Sequence, residues 1–517
     1  MVDKKTFIFL VLFLFVVTVG FVLRAWDAGV RPMHTDEAVH ATKLGYLIEQ
    51  GEYKYDLTEY HGPTLYYLSL PFIWFSGAQS HAELKETTLR ALPIFFGVLL
   101  IGSTWFLRGL IGNGGMLFAV VLTAVSPIFV YYSRYYIHEM MLIVWMMGVF
   151  ICGWKYFCKP RLGWMVGLGV FTGLMFASKE TWVLMGGALG LACIWVLLME
   201  WKSGQFKELA VIWRTGFQLW HWGVGVVVGL VVAFVFYSSF GKHPQGIVDS
   251  FLTYFSYVNR AEGQGHEKPW WYYVTLLGWY KNGPGFVFHE WIVLAPAFIG
   301  AIIVFLVKIE DAKKRILLRT LALYGWVLMA IYSVIPYKMP WLALGFMHGF
   351  ILISGWSAQF LWISKIKWWW KAGITLLFLA LVWQAVDFTR LTNHRLSSDV
   401  RNPYVYSHTS RDFLRLQKRL DAIAQYHEDG KEVLIKAICE EYWPVPWYLR
   451  AYPNIGYWHS IPENPDAPVV ITSPHMNDAL DIVLQDEYMS EVYGLRHGVF
   501  LVMKIRKDLW NKFIKDQ

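Results

Sequence analysis

Eleven stretches of this chain are apolar over most of the length a bilayer requires, and no other feature restricts its fold as strongly. A helix needs about 20 apolar residues to traverse the hydrocarbon core. The runs at 6–26, 90–107, 115–133, 138–157, 162–178, 181–199, 221–240, 289–307, 320–336, 341–363 and 371–388 meet that pattern. They predict a mainly α polytopic membrane protein, because backbone inside lipid must satisfy its own hydrogen bonds. Of the 517 residues 56% are hydrophobic and 18% aromatic, with 28 Trp and 29 Tyr. Such an aromatic load suits interfacial belts and can also line a sugar-binding groove. The net charge of +8 sits in short loops between apolar runs. It therefore reports topology rather than affinity for nucleic acid. Cys152, Cys158, Cys193 and Cys439 imply no disulfide framework. Met1 to Lys5 and the apolar run behind them lack a small-residue cleavage site, so they read as an uncleaved first span.

One further run, 62–77, contains Leu65-Tyr66-Tyr67-Leu68 and Pro71-Phe72-Ile73-Trp74-Phe75. Positive charge decides its role. Lys4 and Lys5 place the N-terminus in the cytoplasm. The later basic loops hold Arg108; Lys159 and Arg161; Lys202, Lys207 and Arg214; Lys308, Lys313, Lys314 and Arg315; and Lys365, Lys367 and Lys371. If 62–77 crosses the membrane, all of these fall outside. If it is re-entrant or interfacial, all fall inside, as the Lys/Arg bias demands. The second arrangement is expected: about eleven spans in the cell's inner or plasma membrane, with interfacial helices in the first outer loop.

That topology delivers polar segments to one outer face. They are Met33-His34-Thr35-Asp36-Glu37-Ala38-Val39-His40, Tyr60-His61-Gly62-Pro63, Arg134 to Glu139, Lys179-Glu180, loop 241–288 and Tyr337-Lys338. A helix N-terminus favours Asp and Glu in any case, and a lone interfacial cation can simply snorkel to water. Both charge signs meeting at the ends of apolar helices point instead to a site. Loop 241–288, with Arg260-Ala261-Glu262-Gly263-Gln264-Gly265-His266-Glu267-Lys268-Pro269-Trp270-Trp271-Tyr272-Tyr273, is long enough to act as a lid. The chain divides into a membrane domain, 1–388, with outer loops 27–89 and 241–288, and a small extracytoplasmic α/β domain, 389–517. The second is marked by strand-length runs at 433–438, 469–472 and 499–505 and helical patterns at 410–426 and 476–485. Trp443, Trp447, Tyr448 and Trp458 there suit either an acceptor platform or packing against the membrane domain. Gly225 with Gly229, and Gly186 with Gly190, have the spacing of close helix contacts.

An outward site of carboxylates, cations and aromatic surfaces at the lipid boundary suits transfer of a group from a lipid-linked phosphate to an extracytoplasmic acceptor. A departing lipid phosphate needs positive charge, which Lys179, Arg134 or Lys338 can supply. An attacking hydroxyl needs a carboxylate to take its proton, and Asp36 is the first candidate. Glu37 or Glu139 can orient that base or hold a divalent cation such as Mg, Mn or Zn. His34, His40, His61, His138, His266 and His289 lie near this face without the HExxH or CxxC spacing of a strong zinc site.

These segments resemble the GT-C glycosyltransferase superfamily, in particular its protein O-mannosyltransferase and lipid A aminoarabinose transferase branch. The similarity is carried by Thr35-Asp36-Glu37-Ala38, Tyr60-His61-Gly62-Pro63-Thr64-Leu65-Tyr66-Tyr67, Ser126-Pro127-Ile128-Phe129-Val130-Tyr131-Tyr132-Ser133-Arg134 and Ser178-Lys179-Glu180. The resemblance implies a GT-C fold, a polyprenyl-phosphate sugar donor and transfer with inversion. It assigns the base to Asp36 and acceptor or metal positioning to Glu37, with His61, Arg134, Glu139, Lys179, His266 and Lys338 as substrate-binding candidates. Gly265-His266-Glu267-Lys268-Pro269-Trp270, Lys338-Met339-Pro340-Trp341-Leu342, Asn402-Pro403 and Trp443-Pro444-Val445-Pro446-Trp447-Tyr448-Leu449-Arg450 are similar to segments of the archaeal and bacterial flippase activity-associated proteins of glycosylation loci. The chain departs from that pattern at Tyr337, where an acidic residue is expected, so Lys338 loses its ion-pair partner. The rival expectation is a flippase accessory or transporter of lipid-linked oligosaccharides. Transporters, however, favour internal repeats and charges at the midplane.

Overall fold

The structure is a computed structural model that describes residues 4–57, 61–205, 208, 210, 217–261, 265–485 and 487–516. Tyr60, Lys207, Arg214 and Glu262-Gly263-Gln264 therefore lie outside the described residues. Among the described residues, eight helices are long and apolar enough to cross a membrane: Thr6–Ala25, Glu86–Ile111, Glu139–Cys158, Trp182–Lys202, Leu219–Tyr237, Ala312–Val334, Pro340–Ile363 and Trp368–Arg395. The protein is thus a multi-pass membrane protein. Shorter apolar helices, Asn113–Val125, Leu162–Phe176 and Trp291–Leu306, occupy the other three expected positions. At 13, 15 and 16 residues they reach about 20 to 24 Å, less than the ~30 Å hydrocarbon core. The count of eleven crossings is therefore not fixed by helix length.

The run at 62–77 is a helix, Thr64–Ser76, of 13 residues with Pro71 inside it. It is too short to count among the spans and packs beside helix Glu86–Ser103. Helix Pro340–Ile363 is the axis of the bundle, almost wholly buried. Helices Leu162–Phe176 and Leu219–Tyr237 touch backbone to backbone. A Cβ on Gly169 would stand 2.2 Å from the Gly225 carbonyl oxygen, and one on Gly173 would stand 2.3 Å from that of Gly229. Only glycine allows that approach. Gly186 and Gly190 have nothing within 4 Å of a built Cβ, so their spacing reports no such contact.

About half of loop 241–288 is helical. Gln245–Ala261 is an amphipathic helix and Tyr272–Gly278 a short second one. Ile247, Val248, Phe251, Leu252 and Phe255 recur at spacings of three and four, a period masked in the sequence by the turn residues that follow.

The C-terminal part forms a five-stranded sheet in the order β2-β1-β3-β5-β4. Strands β1 (Ile435–Ile438), β2 (Ile455–Trp458) and β3 (Val469–Thr472) are parallel. Strands β4 (Tyr488–Arg496) and β5 (Val499–Arg506) add antiparallel ladders. Fully buried β3 reads as an almost wholly apolar run, as covered parallel strands do, and β1 does so except at Lys436, whose ammonium donates to Asn464 O. β2, half-exposed and containing Gly456, and β4, with Ser490, Glu491 and Gly494, carry no such signal. Segment 391–412 straps this sheet to the bundle. Tyr131 Oη donates to Ser397 O (2.8 Å), Tyr132 Oη to Tyr404 O (2.9 Å), and Tyr404 Oη to the Glu290 carboxylate (2.9 Å). Trp447 and Tyr448 are packing residues: Trp447 Nε1 donates to Glu86 (2.9 Å), and Tyr448 Oη accepts from Met33 N (2.8 Å).

Candidate functional site

The site begins with the start of helix Thr35–Gln50. His34 is extended there, its Nδ1 accepts from Asp36 N (3.0 Å), and its own N–H donates to Glu37 Oε2 (3.1 Å). This reciprocal cap fixes where the helix begins. Successive residues of a helix diverge by about 100°, so the two adjacent acids face different surroundings. The Asp36 side chain is 41% exposed and that of Glu37 is 0% exposed.

Glu37 is fully engaged. Arg90 grips it through Nε (2.8 Å) and Nη2 (2.7 Å), Tyr136 N donates to it (2.9 Å), and Arg31 Nη2 lies at 3.5 Å. Burial alone would raise this carboxyl. The charges of Arg90 and Arg31 and the hydrogen bonds from Arg90 and Tyr136 outweigh it and bring the pKa down to about 2. The expectation that Glu37 meets an acceptor or a metal stands against a carboxylate whose two oxygens already have donors. Its role here is to lock the segment that carries Asp36. Arg90 also donates to the carbonyls of Ala28 and Arg31, both at 2.8 Å.

Asp36 looks onto residues from distant parts of the chain. His34 Nε2 is bonded to Tyr406 O (2.8 Å), and the His34 ring lies 4.7 Å from His408 and 5.1 Å from Tyr135. The Tyr406 hydroxyl is hydrogen-bonded to His266, and the Lys268 ammonium stands 5.6 Å over the Tyr406 ring. Partial burial and the neighbouring Lys268 hold the His266 imidazole below its usual range, while the Asp36 charge opposes them. Lys338 is a strap rather than a free cation, because its Nζ donates to Lys268 O (3.0 Å) and Ile335 O (2.5 Å). It ties segment 265–268 into place.

One helical turn beyond Asp36, on the same face, a second polar group gathers around His40. His40 Nδ1 is bonded to Tyr66 Oη (2.9 Å), and the His138 ring lies 4.9 Å from His40 and 5.3 Å from His61. His61 Nδ1 meets Glu180 Oε2 at 2.8 Å and Tyr257 Oη at 2.9 Å. Lys179 and Glu139 form a buried ion pair. His138 Nδ1, Glu139 Oε2, Glu180 Oε1 and Thr181 Oγ1 are buried without hydrogen-bond partners. Buried polar atoms are rarely left so. Arg134 belongs to a separate group, donating to Asp27 O (2.6 Å) beside Arg31, which lies 4.9 Å from the rings of both Tyr131 and Tyr135. Burial, then the charges of Arg31 and Arg90, lower its pKa to about 9.

Among the described residues, no three His, Cys, Asp or Glu side chains form a group able to hold a metal ion. Glu37 is gripped by Arg90, and Glu139 is paired to Lys179. The residues that sequence reasoning missed, Arg90, Tyr406, His408 and Arg496, lie far from Asp36 in the chain and belong to no acidic or histidine pattern.

Within this second group, the segment carrying His61 is joined to the one carrying Lys179 and Glu180 through one glycine. Gly62 N donates to Ser178 O (3.0 Å), Thr64 N to Ala177 O (3.2 Å), and Thr64 Oγ1 meets Ser178 Oγ (2.7 Å). A Cβ on Gly62 would stand 2.1 Å from Ala177 O, which is backbone and cannot turn aside. Gly62→Ala is therefore expected to separate His61 from Glu180 and to destabilise the protein by roughly 2 kcal/mol or more. Thermal unfolding in detergent checks this; an unshifted Tm would refute it. Burial, above all, holds the imidazoles of His34, His40 and His408 below the ordinary value of 6.5. The unfolded chain binds protons there that the folded chain refuses. Their stabilisation is complete above pH 6.5 and is lost as pH falls, by up to about 1.4 kcal/mol per pH unit for each ring. The Tm should hold from pH 8 to 7 and fall by several degrees by pH 5.5.

Residues 12–243 match the family of dolichyl-phosphate-mannose-protein mannosyltransferases. No protein of curated function matches the chain in sequence. In structure the chain is similar to ArnT from Cupriavidus metallidurans bound to undecaprenyl phosphate, with a TM-score of 0.62 at 14% identity, covering 96% of this chain and 97% of ArnT. It is also similar to the oligosaccharyltransferase AglB from Archaeoglobus fulgidus in complex with an inhibitory peptide and a dolichol-phosphate. That match has a TM-score of 0.58 at 12% identity, over 99% of this chain and 77% of AglB. The chain has the fold of the GT-C glycosyltransferases.

Proposed function

We propose that the protein is a membrane glycosyltransferase that moves a hexose or pentose from a polyprenyl-phosphate donor to an extracytoplasmic glycan, lipid or protein acceptor, with inversion. Asp36 takes the proton from the acceptor hydroxyl as its oxygen attacks the anomeric carbon. The bond from that carbon to the phosphate oxygen breaks, and the lipid phosphate leaves with the electron pair. Lys179, His61, Lys268 and His266 supply positive charge or hydrogen bonds toward it. Glu139 holds Lys179, and Glu180 holds His61, so both groups are oriented before substrate arrives. Glu37 and Lys338 position the segments on which the reacting groups sit. The N-terminus lies in the cytoplasm and the sheet domain outside, in the cell's inner or plasma membrane.

The observation that carries this reading is the exposed Asp36 carboxylate on a capped helix start, one helical turn from the His40 group with its unpartnered buried polar atoms. Asp36 opens a helix that is not a span, and Lys179 lies in the turn between helices Leu162–Phe176 and Trp182–Lys202. Charges at helix ends favour an enzyme over a transporter, which would place them at mid-membrane depth. The bound undecaprenyl phosphate of ArnT and dolichol-phosphate of AglB support a lipid-linked donor.

The purified protein, incubated with polyprenyl-phosphate hexoses and pentoses, is expected to release polyprenyl phosphate when extracytoplasmic acceptor is added, as read by mass spectrometry. No release from any donor, together with unaltered surface glycans after gene deletion, would remove the reading.

A further inference from the structure

The carboxyl ends of β1, β2 and β3 form a crest on the C-terminal sheet that no step at Asp36 uses. Register sets Ile438, Trp458 and Thr472 level, so Cys439, His459 and Ser473 follow side by side. β1 leads to β2 on one flank, while β3 borders β5 on the other. The gap between β1 and β3 is therefore the kind of switch point at which parallel strands take ligands.

Three rings line this crest. Tyr442 lies 5.0 Å from Tyr457 at 34° and 5.3 Å from His459 at 36°. His475 and Glu440, 57% and 65% exposed, face each other at 3.8 Å. Behind them, at the start of helix Pro474–Leu484, Ser473 Oγ and Asn477 Oδ1 are buried without partners. The crest runs on into the site: Glu441 pairs with Arg496, whose Nη1 lies 3.5 Å from Thr35 Oγ1, next to Asp36.

Tilted aromatic faces, carboxylates and unmet hydroxyl and amide groups are a mixture that few ligands satisfy together. A phosphate would meet the like charge of Glu440. An apolar chain would leave Ser473 and Asn477 unpaired. A pyranose offers both an apolar C–H face and a rim of hydroxyls. We propose that this crest is a saccharide-binding subsite that holds the acceptor as a glycan chain, its rings against Tyr442 and His459 and its hydroxyls against Glu440 and Ser473. The word acceptor rests on the transferase reading; the binding of saccharide does not.

The probe is the pool of glycans released from the producing cell's own surface and labelled at the reducing end. Full-length wild-type protein in detergent should retain a subset of them. Tyr442→Ala and the exposed-ring variant His459→Ala should each lose that retention at least tenfold, while Tyr442→Phe should keep it, all with unchanged Tm. Retention equal to wild type in both alanine variants, or none by the wild type, overturns the proposal. If Tyr442→Ala does not fold, His459→Ala decides alone. Donor consumption by the wild type is measured separately: its absence defeats the transferase reading and leaves glycan retention to judge the crest.

Discussion

Asp36→Asn is expected to lower sugar transfer by about 10³-fold, because an amide cannot accept the proton of the attacking hydroxyl. The substitution is nearly isosteric, and the cap of the helix survives, since it uses the Asp36 backbone N–H rather than the carboxylate. Losing one negative charge at a helix N-terminus costs about 0.3–1 kcal/mol, so the variant should express and melt almost as the wild type does. The fall should appear in kcat with little change in KM, since the lost group acts in the transition state. Release of polyprenyl phosphate under saturating donor measures it. Wild-type turnover in Asp36→Asn would take Asp36 out of the mechanism.

Arg90→Leu is expected to be more damaging to the fold than any surface change. It leaves the Glu37 carboxylate buried, with Arg31 at 3.5 Å as its remaining ion-pair partner, and unpairs carbonyl oxygens of Ala28 and Arg31. Breaking a buried pair in this way costs about 3–5 kcal/mol. The variant should be recovered from membranes at a small fraction of the wild-type yield. The double variant Glu37→Leu with Arg90→Leu removes both charges and should regain part of the loss. If the double variant is no more stable than Arg90→Leu, the carboxylate left behind is not the source of the damage. The low pKa of Glu37 makes a parallel statement about acid. Its contribution is present above the ordinary carboxyl value of 4.5 and disappears as pH falls toward about 2.

The long apolar runs were legible because lipid imposes a length and a composition that few other environments require. Asp36 could be singled out as an acid set just past the first run, but its exposure beside a buried neighbour could not. What composition could not convey was contact. Glu37 reads like its neighbour until Arg90, at the head of an apolar run, is brought onto it by the packing of helix Glu86–Ser103. Lys338 reads as a cation for a phosphate, but two backbone carbonyls take its charge. Arg496 stands 461 residues from Thr35 in the chain, and only the docking of the sheet domain brings them together. In the sheet, β1 and β3 were visible because both of their faces are covered. β2 and β4 lie on the edges, where polar residues and glycine dilute the pattern. Trp447 and Tyr448 show that an aromatic cluster can serve attachment as readily as recognition.

The reciprocal cap at His34 makes spacing, rather than the presence of particular side chains, the quantity that must be kept in this region. Deleting one residue between Arg31 and His34 would preserve both acids, yet the helix would have to start one position out of phase with Arg90. Either the salt bridge would form and swing the neighbouring carboxylate away from its exposed position, or the carboxylate would stay and the bridge would break. A one-residue indel here should therefore behave as a loss of function even where every substitution at the deleted position is tolerated.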